Sequence, residues 1–183
     1  MTIARSVVDT PIGALTLFAL DDALVRVTLP PREGDATTSH ETEAWLTRHV
    51  GAHTVLDEPD PAGAATRLTR YLAGELAALD DQPVRMLGTA FQQRVWQALR
   101  TIAPGTTIAY GGLAERLGDP RAVRAVAAAN GANPLPLFVP CHRVVAADGT
   151  LWGYAGGLPM KQWLLRHEGA TFRPLAEQAR LAL

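Results

Sequence analysis

One cysteine occurs in the 183 residues, Cys141, and His142 and Arg143 follow it directly. The stretch around it, NPLPLFVPCHRVV, sets polar chemistry inside a run of Leu135, Leu137, Phe138, Val139, Val144 and Val145 that otherwise reads as core. Pro134, Pro136 and Pro140 fix φ and remove backbone donors, so the segment is stiff and non-helical. A rigid mount suits a nucleophile that must be held in line with its target. A free thiol has a pKa of about 8.5, so positive charge or hydrogen-bond donors must favour its thiolate at neutral pH. His142 and Arg143 are candidates for that task. Adjacent side chains in an extended segment point to opposite sides, so His142 reaches Cys141 only through a bridging water or a turn at 141–142. A histidine used as a base also wants an acceptor to orient it, and the nearest downstream carboxylates are Asp148 and Glu168, the latter in a helical stretch. The plain alternative is a cysteine packed as a small buried hydrophobe.

These residues need a frame. The first thirty residues read as strands, broken by hairpin turns at Thr10-Pro11-Ile12-Gly13 and Asp21-Asp22. Residues 30–39 read as a loop, 40–50 and 62–79 as helices, 57–61 as a loop between them, and 80–88 as a linker. Leu68, Tyr71, Leu72, Glu75, Leu76 and Leu79 give the second helix a mainly apolar face. From Thr89 the texture is helical. Thr89 and Gln92 match a capping box, Phe91, Val95, Leu99 and Ile102 form one stripe, and Pro104-Gly105 ends that helix. A short helix over about 111–117 is closed by Gly118. Asp119 and Pro120 open another that runs to about Ala129, with Asn130-Gly131 at its end. Two short helices joined by LGDP read as a helix-turn-helix. On the second, Val123, Val126 and Ala127 share one face; Arg121, Arg124, Ala125 and Ala128 share the other. The latter face is basic and otherwise bears only methyl groups, so its backbone can approach a groove closely while the arginines reach out. A solvated surface face is the bland reading of the same pattern.

Hydrophobic residues make up 48% of the chain and charged residues 19%, enough for a packed core in one large domain or two small ones. No apolar run approaches the roughly 20 residues of a membrane span, and the N-terminal residues carry no signal-peptide core. A single cysteine makes neither an internal disulfide nor a cysteine-rich zinc site, which suits a reducing cytoplasm. Residues 1–88 carry 7 Arg against 13 Asp and Glu; residues 89–183 carry 10 Lys and Arg against 5. An acidic front half and a basic back half point to a polyanionic partner for the back half. Lys161 is the only lysine; every other basic residue is an arginine, the side chain that grips phosphate with two parallel bonds.

The VPCHRVV motif, preceded by NPLPLF and followed by GYAGGLPMKQWLLRHEGA, resembles the O6-alkylguanine-DNA alkyltransferases. The likeness is nearly continuous from about Gly88 to Ala170 and extends, more weakly, to DTPIGALTL. It implies an α+β protein. A small N-terminal α/β domain over 1–85, a ribonuclease-H-like sheet with helices, would precede a helical, winged helix-turn-helix-like domain over 86–172 and a tail over 173–183. It implies a single-turnover repair protein that flips O6-alkylguanine, and O4-alkylthymine, out of the minor groove of double-stranded DNA. The alkyl group would pass irreversibly to Cys141. His142 would deprotonate the thiol through a water and Glu168 would orient His142. Asn133 would brace the turn, and Tyr110 would donate to the base. Arg124 would fill the vacated space, with Arg121, Ala125 and Ala128 on the same DNA-facing side. Val144, Trp152, Tyr154 and Ala155 would line the substrate pocket, Tyr154 in its covering loop and Ala155 through its backbone N–H. No metal, methyl-donor or other cofactor is implied. The partner would be DNA and not a membrane, the protein a monomer, and its location the cytoplasm, on the nucleoid when acting.

The chain departs from the family pattern at several positions. Ala127 and Ala128 stand where glycines are common, Ala155 where a serine is, and Trp152 beside the lid loop is unexpected. The competing readings are a cysteine hydrolase, a plain helix-turn-helix transcription factor, and a non-catalytic relative that senses alkylated bases. The first would need an oxyanion hole that no motif supplies, the second leaves Pro-Cys-His-Arg unexplained, and the third lacks an acceptor cysteine.

Overall fold

A computed structural model describes residues 1–31 and 38–176, so most of the loop expected at 30–39 and much of the expected 173–183 tail lie outside the described residues. The chain divides into two compact units, one formed by Met1–Gly88 with Pro134–Phe138, the other by Thr89–Asn133 with Val139 onward. The architecture is mixed α and β.

In the first unit, β1 (Thr2–Val8), β2 (Leu15–Leu20) and β3 (Ala23–Thr28) form the antiparallel meander that the two turn signals require. Thr10 builds the first turn: its carbonyl accepts from the Gly13 N–H at 3.0 Å and its hydroxyl accepts from the Ile12 N–H at 3.2 Å. A fourth strand, β4 (Thr54–Asp57), pairs parallel with β1 to give the order β3-β2-β1-β4. The sequence reading missed it: only Val55 of its four residues is half-buried, so it shows no alternation. α1 (Thr38–Val50) joins β3 to β4 and covers one sheet face, packing Leu46 and Val50 on Ile3, Phe18, Leu20 and Val25. The helix expected over 62–79 is broken. α2 (Ala64–Leu72) buries Leu68 and Tyr71, then Gly74 takes φ of +103° and Leu76–Leu79 continues as a 3-10 turn. The expected linker is also structured, since Leu24 donates to the Pro83 carbonyl and accepts from the Arg85 N–H, each at 2.9 Å.

In the second unit, α3 (Ala90–Arg100) starts at the expected capping box: Thr89 Oγ1 accepts from the Gln92 N–H at 3.2 Å and Gln92 Oε1 from the Thr89 N–H at 2.9 Å. It buries Val95, Trp96 and Leu99, and the Trp96 indole donates to the Ala129 carbonyl at 2.8 Å. α4 (Tyr110–Arg116) ends before Gly118, which has φ of +86°. Asp119 caps as expected, accepting from the Arg121 N–H at 3.0 Å, but Pro120–Ala122 is a 3-10 turn and α5 proper spans Val123–Gly131. The expected two-faced pattern holds for the exposed Arg121, Arg124, Ala125 and Ala128 and for the buried Val126, to which Ala129 and Asn130 are added. Two short strands, β5 (Ile108–Ala109) and β6 (Val144–Val145), pair in parallel. α6 (Gly157–His167) closes the unit. No helix among the described residues is long and apolar enough to cross a membrane.

Candidate active site

The residues Cys141–Arg143 form a single 3-10 turn between the stiff proline run and β6. Cys141 and His142 are therefore in a turn and not in extended backbone. Pro140 opens it and the Arg143 N–H donates to the Pro140 carbonyl at 3.1 Å. All three side chains are buried. The β5–β6 ladder pairs Ala109 with Val145, so Tyr110, next along the chain, starts α4 close to the turn.

Glu168 is buried as well. It sits just past α6 as the C-cap residue, not within the helix as its sequence context suggested. Gly105, with φ of +76°, lets the chain pass so near that a Cβ there would stand 2.9 Å from the Glu168 carbonyl oxygen. His142 Nε2 lies 3.0 Å from Glu168 Oε1. Arg143 donates from Nε to Oε2 at 2.9 Å, from Nη2 to Oε1 at 2.7 Å, and from Nη1 to the Ile102 carbonyl at 2.5 Å. Burial alone would raise the Glu168 pKa; the hydrogen bonds from His142 and Arg143 and the charge of Arg143 outweigh it and hold the carboxyl well below the usual range. Burial pushes His142 the other way, below its ordinary value, by more than Glu168 raises it. The two directions agree once Arg143 is counted. It already compensates the carboxylate, so His142 stays neutral. A carboxylate only accepts, so Nε2 carries the ring hydrogen and Nδ1 keeps the lone pair. Nδ1 is buried and without a protein hydrogen bond among the described residues. It is a base with its basic atom unengaged.

Burial pushes the Cys141 thiol up, against a hydrogen bond from Asn133 and the charge of Lys161. The resting sulfur is therefore a thiol. The sequence assigned thiolate stabilisation to His142 and Arg143, but Arg143 is turned to Glu168 and the nearby cation is Lys161. Lys161 is fully buried and donates to the Val144 carbonyl at 2.7 Å and the Trp152 carbonyl at 2.8 Å. Burial pulls its pKa down to about 8, which the charge of Cys141 partly opposes. Sequence reasoning noted Lys161 as the sole lysine and gave it no role; that singularity in an arginine-rich chain was the available signal.

Asn133 is half-buried and donates from Nδ2 to the Val139 carbonyl at 2.8 Å, two residues before Cys141. Tyr110 is half-buried; burial and the charge of Cys141 raise its pKa, and a hydrogen bond from the Asn130 side chain works against them. Asn130, read from sequence only as part of a helix end, is thus a site residue. Val144 is buried beside the turn. Tyr154 is buried, its ring edge-on to His142 with centroids 6.5 Å apart. Ala155 is exposed, and the Trp152 indole is at the surface with only its carbonyl drawn inward. Arg124 and Arg121 point to solvent, Arg121 beside Asp119 at 3.8 Å.

A buried thiol beside a neutral, carboxylate-oriented imidazole, in a unit that presents an arginine-bearing helix, is the arrangement of a cysteine nucleophile serving a polyanionic substrate. A family model described as the DNA-binding domain of 6-O-methylguanine DNA methyltransferase matches residues 90–170. A methylated-DNA–protein-cysteine methyltransferase of Salmonella typhimurium is 53% identical over 122 residues, 67% of this chain and 71% of that one. Its counterpart in Mycolicibacterium paratuberculosis is 45% identical over 168 residues, 90% and 93% of the two chains. A crystal structure of Mycobacterium tuberculosis OGT in complex with DNA superposes with a TM-score of 0.73 at 37% identity, covering 90% of this chain and 92% of that one. The chain belongs to the methylated-DNA–protein-cysteine methyltransferase family.

Proposed function

We propose that this protein repairs DNA by taking the alkyl group of O6-alkylguanine, and of O4-alkylthymine, onto Cys141, once per molecule. The observation that carries the reading is the buried His142–Glu168 pair, with Arg143 compensating the carboxylate, next to the buried Cys141. His142 Nδ1 accepts the thiol proton through a water. The sulfur then attacks the alkyl carbon in line: the S–C bond forms, the C–O6 bond breaks, and its electron pair passes to guanine. Tyr110 donates its hydroxyl proton to the departing base, so guanine leaves neutral. The hydrogen bond that Asn130 makes to the phenol oxygen leaves that O–H free to point at the base. The product is a thioether, which water does not cleave, so the protein is consumed.

A buried thiol cannot reach O6 inside a base stack, so the nucleotide must leave the duplex at a cost of a few kcal/mol. α4 and α5 act as a helix-turn-helix within a winged domain, while the N-terminal sheet is ribonuclease-H-like. α5 lies in the minor groove, where base readout is degenerate and repair at any sequence is possible. Arg124 enters the stack where the base was, and Tyr154 and the Ala155 N–H close over the displaced guanine. The protein works as a monomer in the cytoplasm, on the nucleoid. The test is transfer of labelled methyl from duplex O6-methylguanine DNA to protein. Label bound covalently at Cys141 and absent in Cys141→Ser supports the reading; DNA binding without transfer would make the protein a sensor of alkylated bases.

A further inference from the structure

Trp152 is 65% exposed and is the one large hydrophobic side chain so exposed among the described residues of the second unit. It is also tied down. Its indole N–H donates to Thr150 Oγ1 at 3.1 Å, and the Thr150 hydroxyl donates in turn to Asp148 Oδ1 at 2.7 Å. The same Asp148 oxygen accepts from the Thr150 N–H at 3.0 Å, and Arg173 Nη1 donates to the other at 3.3 Å. The turn below is held by the Ala146 N–H to the Thr150 carbonyl at 2.9 Å and by the Arg173 N–H to the Gly149 carbonyl at 2.8 Å. The backbone of Trp152 is anchored on the inner side. The Lys161 ammonium that holds its carbonyl also holds the carbonyl of Val144, three residues past Cys141. An exposed indole is thus fixed in direction, on a residue whose carbonyl shares the Lys161 ammonium with Val144.

We propose that Trp152 is a stacking platform for the displaced guanine on its way to Cys141, with Thr150 and Asp148 as its positioning residues. The inference rests on the repair reading above. A base that leaves the duplex loses its stacking neighbours, and an aromatic face outside the helix restores part of that contact without regard to sequence. An indole held in advance loses less freedom on stacking than a mobile one. Its ring bears no charge that would compete for phosphate.

The test compares the full chain with its W152A, W152F and T150V variants. Rate constants are measured for methyl transfer to Cys141 from duplex O6-methylguanine DNA and for benzyl transfer from free O6-benzylguanine. W152A is expected to slow both by about tenfold, W152F to stay within about threefold of the parent, and T150V to fall between. Parental rates for W152A on both substrates overturn the inference. A loss confined to the duplex also overturns it, because the indole then contacts DNA and not the displaced base. If the unsubstituted chain accepts alkyl from neither substrate, the repair reading fails and this inference falls with it. Transfer intact in both proteins removes the Trp152 role alone.

Discussion

Glu168 serves two partners, since its carboxylate orients His142 and neutralises Arg143, both buried. Glu168→Gln removes the charge but keeps the shape. Arg143 is left as an uncompensated buried cation, a change that typically costs about 3 kcal/mol. The amide also offers Nε2 a donor in place of a pure acceptor, so the imidazole hydrogen is no longer held on that nitrogen. The expected outcome is a clear drop in melting temperature together with slow transfer even well below it. Unchanged stability with full activity would show that Arg143 is compensated elsewhere. Lys161 gives a pH signature of its own. Its folded pKa, about 8, lies below the ordinary 10.5. The buried ammonium is charged below pH 8, where it costs stability yet favours developing thiolate. Above pH 8 it loses its proton, so stability should rise toward pH 10.5 while transfer falls. On the acid side, transfer should hold until well below the ordinary histidine value, because the His142 pKa is lowered. Lys161→Arg keeps its charge throughout and should abolish the divergence above pH 8, as rates and melting curves across pH would reveal.

Among the elements, α5 carries the claim about DNA. Arg124, Ala125 and Ala128 are exposed on one side while Val126 and Ala129 are buried on the other. Arg124→Ala removes an exposed side chain, so stability should change by less than about 0.5 kcal/mol. Transfer from duplex DNA should slow by at least tenfold, while reaction with free O6-benzylguanine stays as it was. Equal slowing of both would count against a role in filling the stack. Much of this frame was legible because its signals are local. The Thr89–Gln92 capping box, Gly118 after α4, the Asp119 cap and the two β-turns are each set by a few neighbouring residues. What escaped depends on distant partners. β4 has no pattern of its own and exists because β1 offers an edge, and residues 80–88 read as a linker although Val84 pairs with Leu24. α2 stops short of the expected 62–79 span because Gly74, at φ of +103°, breaks the helix despite the apolar spacing on either side.

At the scale of the whole molecule, the candidate site follows the same division. Cys141 and His142 are adjacent in sequence, and Glu168 was reachable as the next carboxylate in a helical context. Lys161 and Asn130 were not, and Arg143 was read as a partner of the thiol and not of Glu168, because their importance lies in burial and in the groups they meet, which adjacent letters do not encode. The charge division of the chain, acidic before residue 88 and basic after it, agrees with a second unit that holds both the nucleophile and the arginine-bearing helix. The central claim is that a buried sulfur accepts one alkyl group and keeps it. Intact-mass measurement of the protein after incubation with excess duplex O6-methylguanine DNA addresses it most directly. The expected result is a complete shift by one methyl group, mapped to Cys141, with lesions lost in a one-to-one ratio to protein. Lesions consumed far beyond the amount of protein, or lost with Cys141 unmodified, would contradict it.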